Sequence, residues 1–462
     1  METTTGAVLP PAAGRGIAER LAAPALRPAR TLARWCVRHG LAAVYLDRSA
    51  RRGDPVGRLL RDRAVRDRPY VVHEELRARG PLVGSGLGLV TTSHAVASEV
   101  LRSDRFGVGW DRSAAPALIR WALRFGDELD ATGVAEPPSM LVVDPPDHTR
   151  FRRLVSRAFT PRATAAFEPV VRRTADALLD ALELRSGTVD LVETYAAQLP
   201  VLVIADLLGV PTDRREDFLR WGAAAAATLD PGLPFRRYVA AERALRAMHG
   251  FLREHFEHLR REPGDDLVSR LVGLPGDEAL TERELHATVM LLLGAGFETT
   301  VNLLGNAVVL LDTHRDQWKA LVADPAGWDG AVEEVLRHDS PVQITGRTAK
   351  ADAIVAGREV GAGTRVTVLL GAANRDPDVF DDPARFDVTR ANARDHVAFS
   401  SGIHFCLGAA LARMEGEVAL RALFERFPDL APAGAGTRRS TIILRGYESL
   451  PVTLGRPVAG ER

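Results

Sequence analysis

Thr281-Glu-Arg-Glu284 opens an apolar run that lasts to about Leu311, and no other stretch of this 462-residue chain restricts its fold so strongly. The Thr/Glu spacing is a capping box: the Thr281 hydroxyl accepts from the third helical N–H, and Glu284 answers the N–H of Thr281. A helix from there to Leu311, rising 1.5 Å per residue, is about 45 Å long. Such a rod has to cross the whole domain and be covered by other elements. Helical periods also dominate elsewhere, at 93–101, 148–158, 163–185, 191–208, 213–229, 236–261 and 327–338. Strand-like runs are short, at 81–92 and within 354–372, the second broken by Gly361 and Gly363. The expected class is mainly α with small β-sheets (α+β). No repeat or linker divides the chain, so residues 31–462 are expected to form one domain behind a loosely ordered leader, 1–30.

A hydrophobic fraction of 46% is ample for a large core, and the zero formal net charge argues against nucleic acid as the main partner. Lys319 and Lys350 are the only lysines. Two cysteines, Cys36 and Cys406, rule out a disulfide framework and suit a reducing cytoplasm. Apolar stretches such as Val289 to Phe297 fall far short of the ~20 residues that span a bilayer. The leader lacks the apolar region of a signal peptide. A cytoplasmic protein with no membrane segment is expected, and a monomer.

Cys406 carries the chemistry. It stands in Phe399-Ser-Ser-Gly-Ile-His-Phe-Cys-Leu-Gly408, directly before the helical run 409–420. At a helix N-terminus, free backbone N–H groups and the macrodipole favour a thiolate, the form that binds metal. Gly402 permits a sharp turn, and Gly408 lets backbone approach a flat ligand. With one other cysteine in the chain, a four-cysteine zinc or iron–sulfur site cannot be built; a single thiolate on haem iron fits better. Taken alone, a buried structural cysteine is the competing reading. Two further groups stand out. Gly294-Ala-Gly-Phe-Glu-Thr-Thr300 places an acid and a hydroxyl inside the long apolar helix, beside two glycines that weaken it by about 1 kcal/mol each. A local distortion is expected there, against the plainer reading of a glycine helix crossing with Thr299 bonded back to the preceding turn. Glu334-Val-Leu-Arg337 is an i,i+3 pair on one helix face.

The segment around Cys406 resembles the haem-ligand loop of the cytochrome P-450 family, except that Ser400 stands where the family usually has glycine. The likeness spans roughly 65–455. It implies haem b held by Cys406, with Phe399, Gly402, His404 and Gly408 in the ligand loop. Asp144-Pro-Pro-Asp-His-Thr-Arg-Phe-Arg152 is similar to the family's entry to a haem-facing helix, so His148 and Arg152, with Arg347 and His404, are expected to meet the haem propionates. Ala295 and Gly296 are expected to line an oxygen groove. Thr299 and Glu298 are expected to deliver protons during dioxygen activation, where an acid–alcohol pair in a dry pocket has a chemical reason. Glu334, Arg337 and Arg385 match the family's structural triad.

The resemblance therefore implies a monooxygenase that inserts one atom of O2 into an apolar organic substrate, by hydroxylation or epoxidation in secondary metabolism. With no flavin or iron–sulfur segment of its own, it would take electrons from a ferredoxin and its reductase; Arg150, Arg153 and Arg157 offer a basic docking face. Oxidative aryl or C–C coupling, a peroxide-driven peroxygenase and a non-catalytic haem-thiolate binding module are the alternatives on the same fold. Specificity is expected in 102–138, 210–240, 290–299, 342–346 and the turn at 445–449, where Leu292, Leu293, Val342 and Ile344 are apolar.

Overall fold

The structure, a computed structural model, describes residues 29–109 and 133–457. The expected leader lies almost wholly outside them, as does 110–132 of the irregular segment expected to help set specificity. A helix over 29–51 begins the described chain, and short helices follow at Pro55–Arg61 and Tyr70–Arg77, none of them anticipated from the sequence.

Eight helices position the site: α1 (Asp147–Ser156), α2 (Pro161–Glu183), α3 (Gln198–Leu207), α4 (Arg215–Ala227), α5 (Phe235–Arg261), α6 (Glu282–Thr313), α7 (Trp328–His338) and α8 (Ala409–Arg426). Their starts follow local chemistry. Thr160 caps α2 from its hydroxyl with proline next in line, and Thr281 and Glu284 form the full reciprocal capping box of α6. A five-stranded sheet lies to one side, built from β1 (Val83–Ser85), β2 (Gly88–Thr91), β3 (Phe106–Gly107), β4 (Ile344–Ala349) and β5 (Arg365–Leu369), in the order β1-β2-β5-β4-β3. Pairing Arg347 with Val366 across β4 and β5 fixes where that arginine projects.

The core collects around α6, 32 residues long, which packs on α3, α4, α7 and α8. By length and composition α6 is apolar enough to cross a bilayer, but 78% of its most apolar window is buried by the rest of the protein. The reason is visible in Val289, Ala307 and Leu311, all fully enclosed. Each Val or Leu so buried contributes roughly 1.5–3 kcal/mol. The expected distortion at Gly294 and Gly296 is not there: α6 is continuous from end to end. The glycines serve close packing instead. A Cβ on Gly296 would stand 3.0 Å from Ile204 of α3, and one on Gly294 would stand 3.3 Å from Val134 and 3.6 Å from Ala225 of α4. The plainer reading of a glycine helix crossing was right.

Candidate active site

Cys406 sits on a loop that the backbone holds tightly. Its N–H donates to the carbonyl of Phe399 at 2.9 Å, and the N–H of Phe405 donates to Gly402 at 3.0 Å. Gly402 has φ +70°, and any Cβ there would lie 2.3 Å from the Leu101 carbonyl, so only glycine fits. Ser400 adopts φ 63°, a left-handed conformation that costs a side-chain-bearing residue about 1 kcal/mol. That accounts for the glycine of the family pattern and shows that this chain keeps the turn without it. Gly408 has open space where a side chain would project. Burial pushes the Cys406 thiol up, while the Gly408 N–H, Arg152 and Arg413 pull toward the thiolate. The helix-terminus argument thus supplies only part of the balance, and in the protein alone desolvation wins.

A cluster of cationic and donor side chains lies beside this loop. The rings of His148 (α1) and His404 pack with centroids 4.2 Å apart. Burial, His148 and Arg347 press His404 down to about 3; burial and Arg152 lower His148. Burial also lowers Arg152, with Cys406 opposing, and pulls Arg347 down to about 10, with Asp144 opposing. Nε2 of both histidines is buried without a hydrogen-bond partner. Among the described residues, Asp144 is the one carboxylate acting on His148, Arg347 and His404, and it already accepts from the N–H groups of Val108 (3.0 Å) and Gly109 (3.2 Å). Two arginines and two donor-capable rings gathered with so little counter-charge have the chemistry to take an acidic ligand. The residues fit a dicarboxylate group beside a thiolate, as haem would present.

On the other side of the site, Ala295 is exposed and Thr299 partly exposed in the middle of a helix otherwise enclosed by protein. Side chains exposed there face a space that protein atoms do not fill. Thr299 Oγ1 donates to the Ala295 carbonyl at 3.1 Å. Gly296 turns toward Ile204, leaving Ala295 to edge that space. Glu298, 3% exposed, does not reach solvent directly; it pairs with Arg439 at 2.6 Å, a partner sequence reasoning missed. Burial raises Glu298 against the pull of Arg439, and Glu448 adds to the rise. The α6 helix is tied to α8 through the buried Glu415, which interacts with Thr300 and which burial raises well above the usual carboxylate range.

The triad needs a correction. Glu334 and Arg337 form the expected pair, fully buried and bidentate at 2.7 Å and 2.7 Å. Arg337 spends its remaining N–H groups on the carbonyls of Asn374, Pro383 and Arg385. The third cation is Arg390, 3.3 Å from Glu334 with its side chain 8% exposed. Arg385 contributes only its carbonyl; its guanidinium is 64% exposed and stands 3.6 Å from Asp387. The turn through 382–390 brings the later arginine inward, a placement that spacing alone does not reveal. A neighbouring network escaped the sequence altogether. Buried Glu333 meets His396 at 3.0 Å, Arg413 of α8 at 2.6 Å and Arg394 at 3.1 Å; against burial, His396 and Arg413 hold its carboxyl down at about 2. Arg413 lies over the Phe399 ring at 4.6 Å, so Phe399 is gripped from the network side as well as by its bond to Cys406.

The turn at 445–449 is anchored beside the C-terminus of α7. Arg445 and Arg438 converge on Asp339, at 2.6 and 3.2 Å, and hold its carboxyl far below the usual range against burial. Tyr70 donates to the same carboxylate at 2.8 Å. Arg150 and Arg153 are likewise engaged, with Glu284 at 2.9 Å and Glu278 at 3.1 Å; Arg157 is exposed.

Comparison with known proteins places these features in context. Residues 328–436 match the family model described as Cytochrome P450. A "Putative cytochrome P450 140" of Mycobacterium tuberculosis is 47% identical over 428 residues, covering 91% of this chain and 97% of that protein. The 6-deoxyerythronolide B hydroxylase of Saccharopolyspora erythraea is 44% identical over 316 residues, covering 67% of this chain and 76% of its own. Among solved structures, the bacillaene polyketide synthase cytochrome P450 PksS of Bacillus subtilis superposes with a TM-score of 0.73 at 34% identity, covering 84% of this chain and 97% of that one.

Proposed function

The chain belongs to the cytochrome P450 family, a monooxygenase by that membership, and from this premise we propose that Cys406 ligates the iron of haem b and that the substrate is an apolar polyketide-type scaffold. One observation carries the cofactor assignment: the under-compensated cluster of His148, Arg152, Arg347 and His404 beside a half-buried cysteine. In this reading the four side chains hold the two propionates. Phe399, Gly402 and Gly408 shape the ligand loop, and Ala295 leaves room on the opposite side. Haem, when bound, supplies the redox iron at which O2 is activated.

The chain's own part in that chemistry is proton handling. Glu298, neutralised or ionised according to its contact with Arg439, holds a proton in a dry helix interior. Thr299, its neighbour, exchanges its bond to the Ala295 carbonyl for one that passes the proton on. A polyketide-type substrate is supported by two relatives, named as a 6-deoxyerythronolide B hydroxylase and a polyketide synthase P450. Electrons come from a ferredoxin and its reductase in this account, since Cys36 and Cys406 cannot build a cluster. The docking face shifts from Arg150 and Arg153, which are already paired, toward Arg102 and the exposed Ile403 and Phe405 at the rim of the Cys406 loop.

The test is turnover with a surrogate ferredoxin and reductase, after a spectral screen for molecules that shift the haem toward high spin. Thr299→Ala should keep haem and substrate binding, and should release most reducing equivalents as hydrogen peroxide. A fully coupled Thr299→Ala enzyme, or an unaltered protein that works only with added peroxide, would overturn the reading.

A further inference from the structure

We propose that the Glu333–Arg413 ion pair sets the reduction potential of the group bound at Cys406: Arg413 raises it and Glu333 restrains it. This role rests on Cys406 being the haem thiolate, and it names two side chains that tune that thiolate from outside the ligand loop.

The pair begins with two adjacent acids on α7. Consecutive helical residues point about 100° apart, so Glu333 and Glu334 cannot share a partner surface. Glu334 faces Arg337 and the 382–390 turn, while Glu333 faces α8. Arg413, on the second turn of α8, grips both oxygens of Glu333, Nε to Oε1 at 2.6 Å and Nη2 to Oε2 at 3.3 Å. His396 adds a bond without adding charge. Its Nδ1 accepts the Ala398 N–H at 3.3 Å, so the ring proton sits on Nε2, which donates to Glu333 at 3.0 Å. Only arginines therefore answer the charge of Glu333. Arg413 does so from the core side; Arg394, 58% exposed, does so from the surface at 3.1 Å and also pairs with Asp329.

Two carboxylates and two guanidinium groups leave the network neutral, but it is not symmetric toward the sulfur. The Arg413 guanidinium lies 4.6 Å from the centroid of the Phe399 ring, and the Phe399 carbonyl accepts the Cys406 N–H at 2.9 Å. Among the described residues, the charged groups acting on the Cys406 thiol are Arg152 and Arg413; both favour its anion, and Glu333 is not one of them. Arg337, saturated within its own network, does not act on it either. Arg152 is assigned to the propionates, whose charge it would answer. Arg413 is left as the cation that serves the thiolate side.

The consequence is electrostatic. Reduction adds one electron and so one negative charge to the site, which a nearby cation favours and an anion opposes. Glu333 draws the Arg413 guanidinium to itself and offsets part of its field. An adjacent unit charge shifts a one-charge equilibrium by about 10- to 1000-fold. With its side chain 26% exposed and partly screened by water, Arg413 belongs at the low end of that range.

The experiment titrates the haem-loaded protein with a chemical reductant and mediator dyes, one electron per haem, after recording the ferrous–CO band of each variant. Arg413→Gln should lower the equilibrium constant for reduction about tenfold, which for one electron is about 59 mV. Glu333→Gln should raise it. The double variant, which removes the pair together, should lie between the two single ones, as should Arg413→Lys, which keeps the charge. A brace with no electrostatic role gives another pattern: loosening Phe399 moves both single variants the same way, and the double variant at least as far. Shifts of the same sign, or no shift in either single variant, would overturn the tuning role while leaving the ligand assignment standing. Should Arg413→Gln fail to retain haem, Glu333→Gln decides alone: a raised potential sustains the role, and a lowered or unchanged one overturns it. An unaltered protein without the red-shifted band of thiolate ligation would instead remove Cys406 as the ligand, and the tuning role with it.

Discussion

Two ionic clusters flank the Cys406 loop, and they are built on opposite terms. Around Glu334 every charge is answered: Arg337 uses all five guanidinium N–H groups, and Glu334 also takes Arg390 and the N–H of Asp387 at 2.9 Å. Around His148 and His404 the charges are left over, with two orphaned ring nitrogens and two desolvated arginines, of which only Arg347 feels the nearby Asp144. A saturated buried network can only hold the fold. An unsaturated one costs stability until something acidic fills it. The contrast separates scaffold from seat with no reference to any bound group.

The largest effect that could break this contrast lies in the scaffold. Arg337→Ala strands Glu334 in the core and should cost about 3–5 kcal/mol in denaturant unfolding. Arg385→Ala, which removes an exposed side chain and keeps the carbonyl, should stay within about 0.5 kcal/mol. Equal losses for the two would return Arg385 to the triad.

The seat should behave in the reverse sense. Arg152→Ala and Arg347→Ala remove guanidinium groups that burial desolvates, so the haem-free protein should be no less stable, whereas haem transfer to excess apomyoglobin should quicken about 10–100-fold. That range corresponds to losing a charge-assisted hydrogen bond of about 1.5–3 kcal/mol. Variants that weaken the haem-free protein and leave haem transfer alone would move these arginines into the scaffold.

Acid sharpens the comparison further. Burial depresses His39 to about 4 and His73 and His338 to about 3, below the ordinary 6.5. The unfolded chain therefore takes up protons first as pH falls. The stability these neutral rings preserve is complete above about 6.5 and is lost progressively toward about 3–4. Each contributes roughly 1.4 kcal/mol per pH unit within that window. Unfolding at pH 7 and pH 5.5 measures the slope, and His73→Gln should flatten it; an unchanged slope would mean that His73 is already protonated in the fold. The smallest effect is Ser400→Gly, which should stabilise by about 1 kcal/mol through relief of the left-handed backbone. A loss would mean the 3.5 Å approach of Arg347 to the Ser400 hydroxyl contributes more than the strain costs.

What the sequence disclosed was what local rules write into it. The capping box at Thr281 fixed the start of α6, and residue order around Cys406 pointed to the loop, because both depend on neighbours within a few positions. The failures are long-range. Arg390 replaced Arg385 because the inward-facing arginine is chosen by the path of the 382–390 turn. Arg439 reaches Glu298 from 141 residues away in sequence, and no periodicity announces such a contact. Gly294 and Gly296 looked like a weakened helix because their partners, Ala225 and Ile204, lie on other helices. Glu333 sat beside the noticed Glu334 and passed unremarked, although its grip on Arg413 and His396 braces the ligand loop as firmly.

The central claim is that Cys406 is the thiolate at the seat that His148, Arg152, Arg347 and His404 surround, and the ferrous–CO spectrum tests it most directly. The unaltered protein and Cys36→Ser should both show the red-shifted Soret band of thiolate ligation, and Cys406→Ser should lose it. Retention of that band in Cys406→Ser, or its loss in Cys36→Ser, would contradict the account.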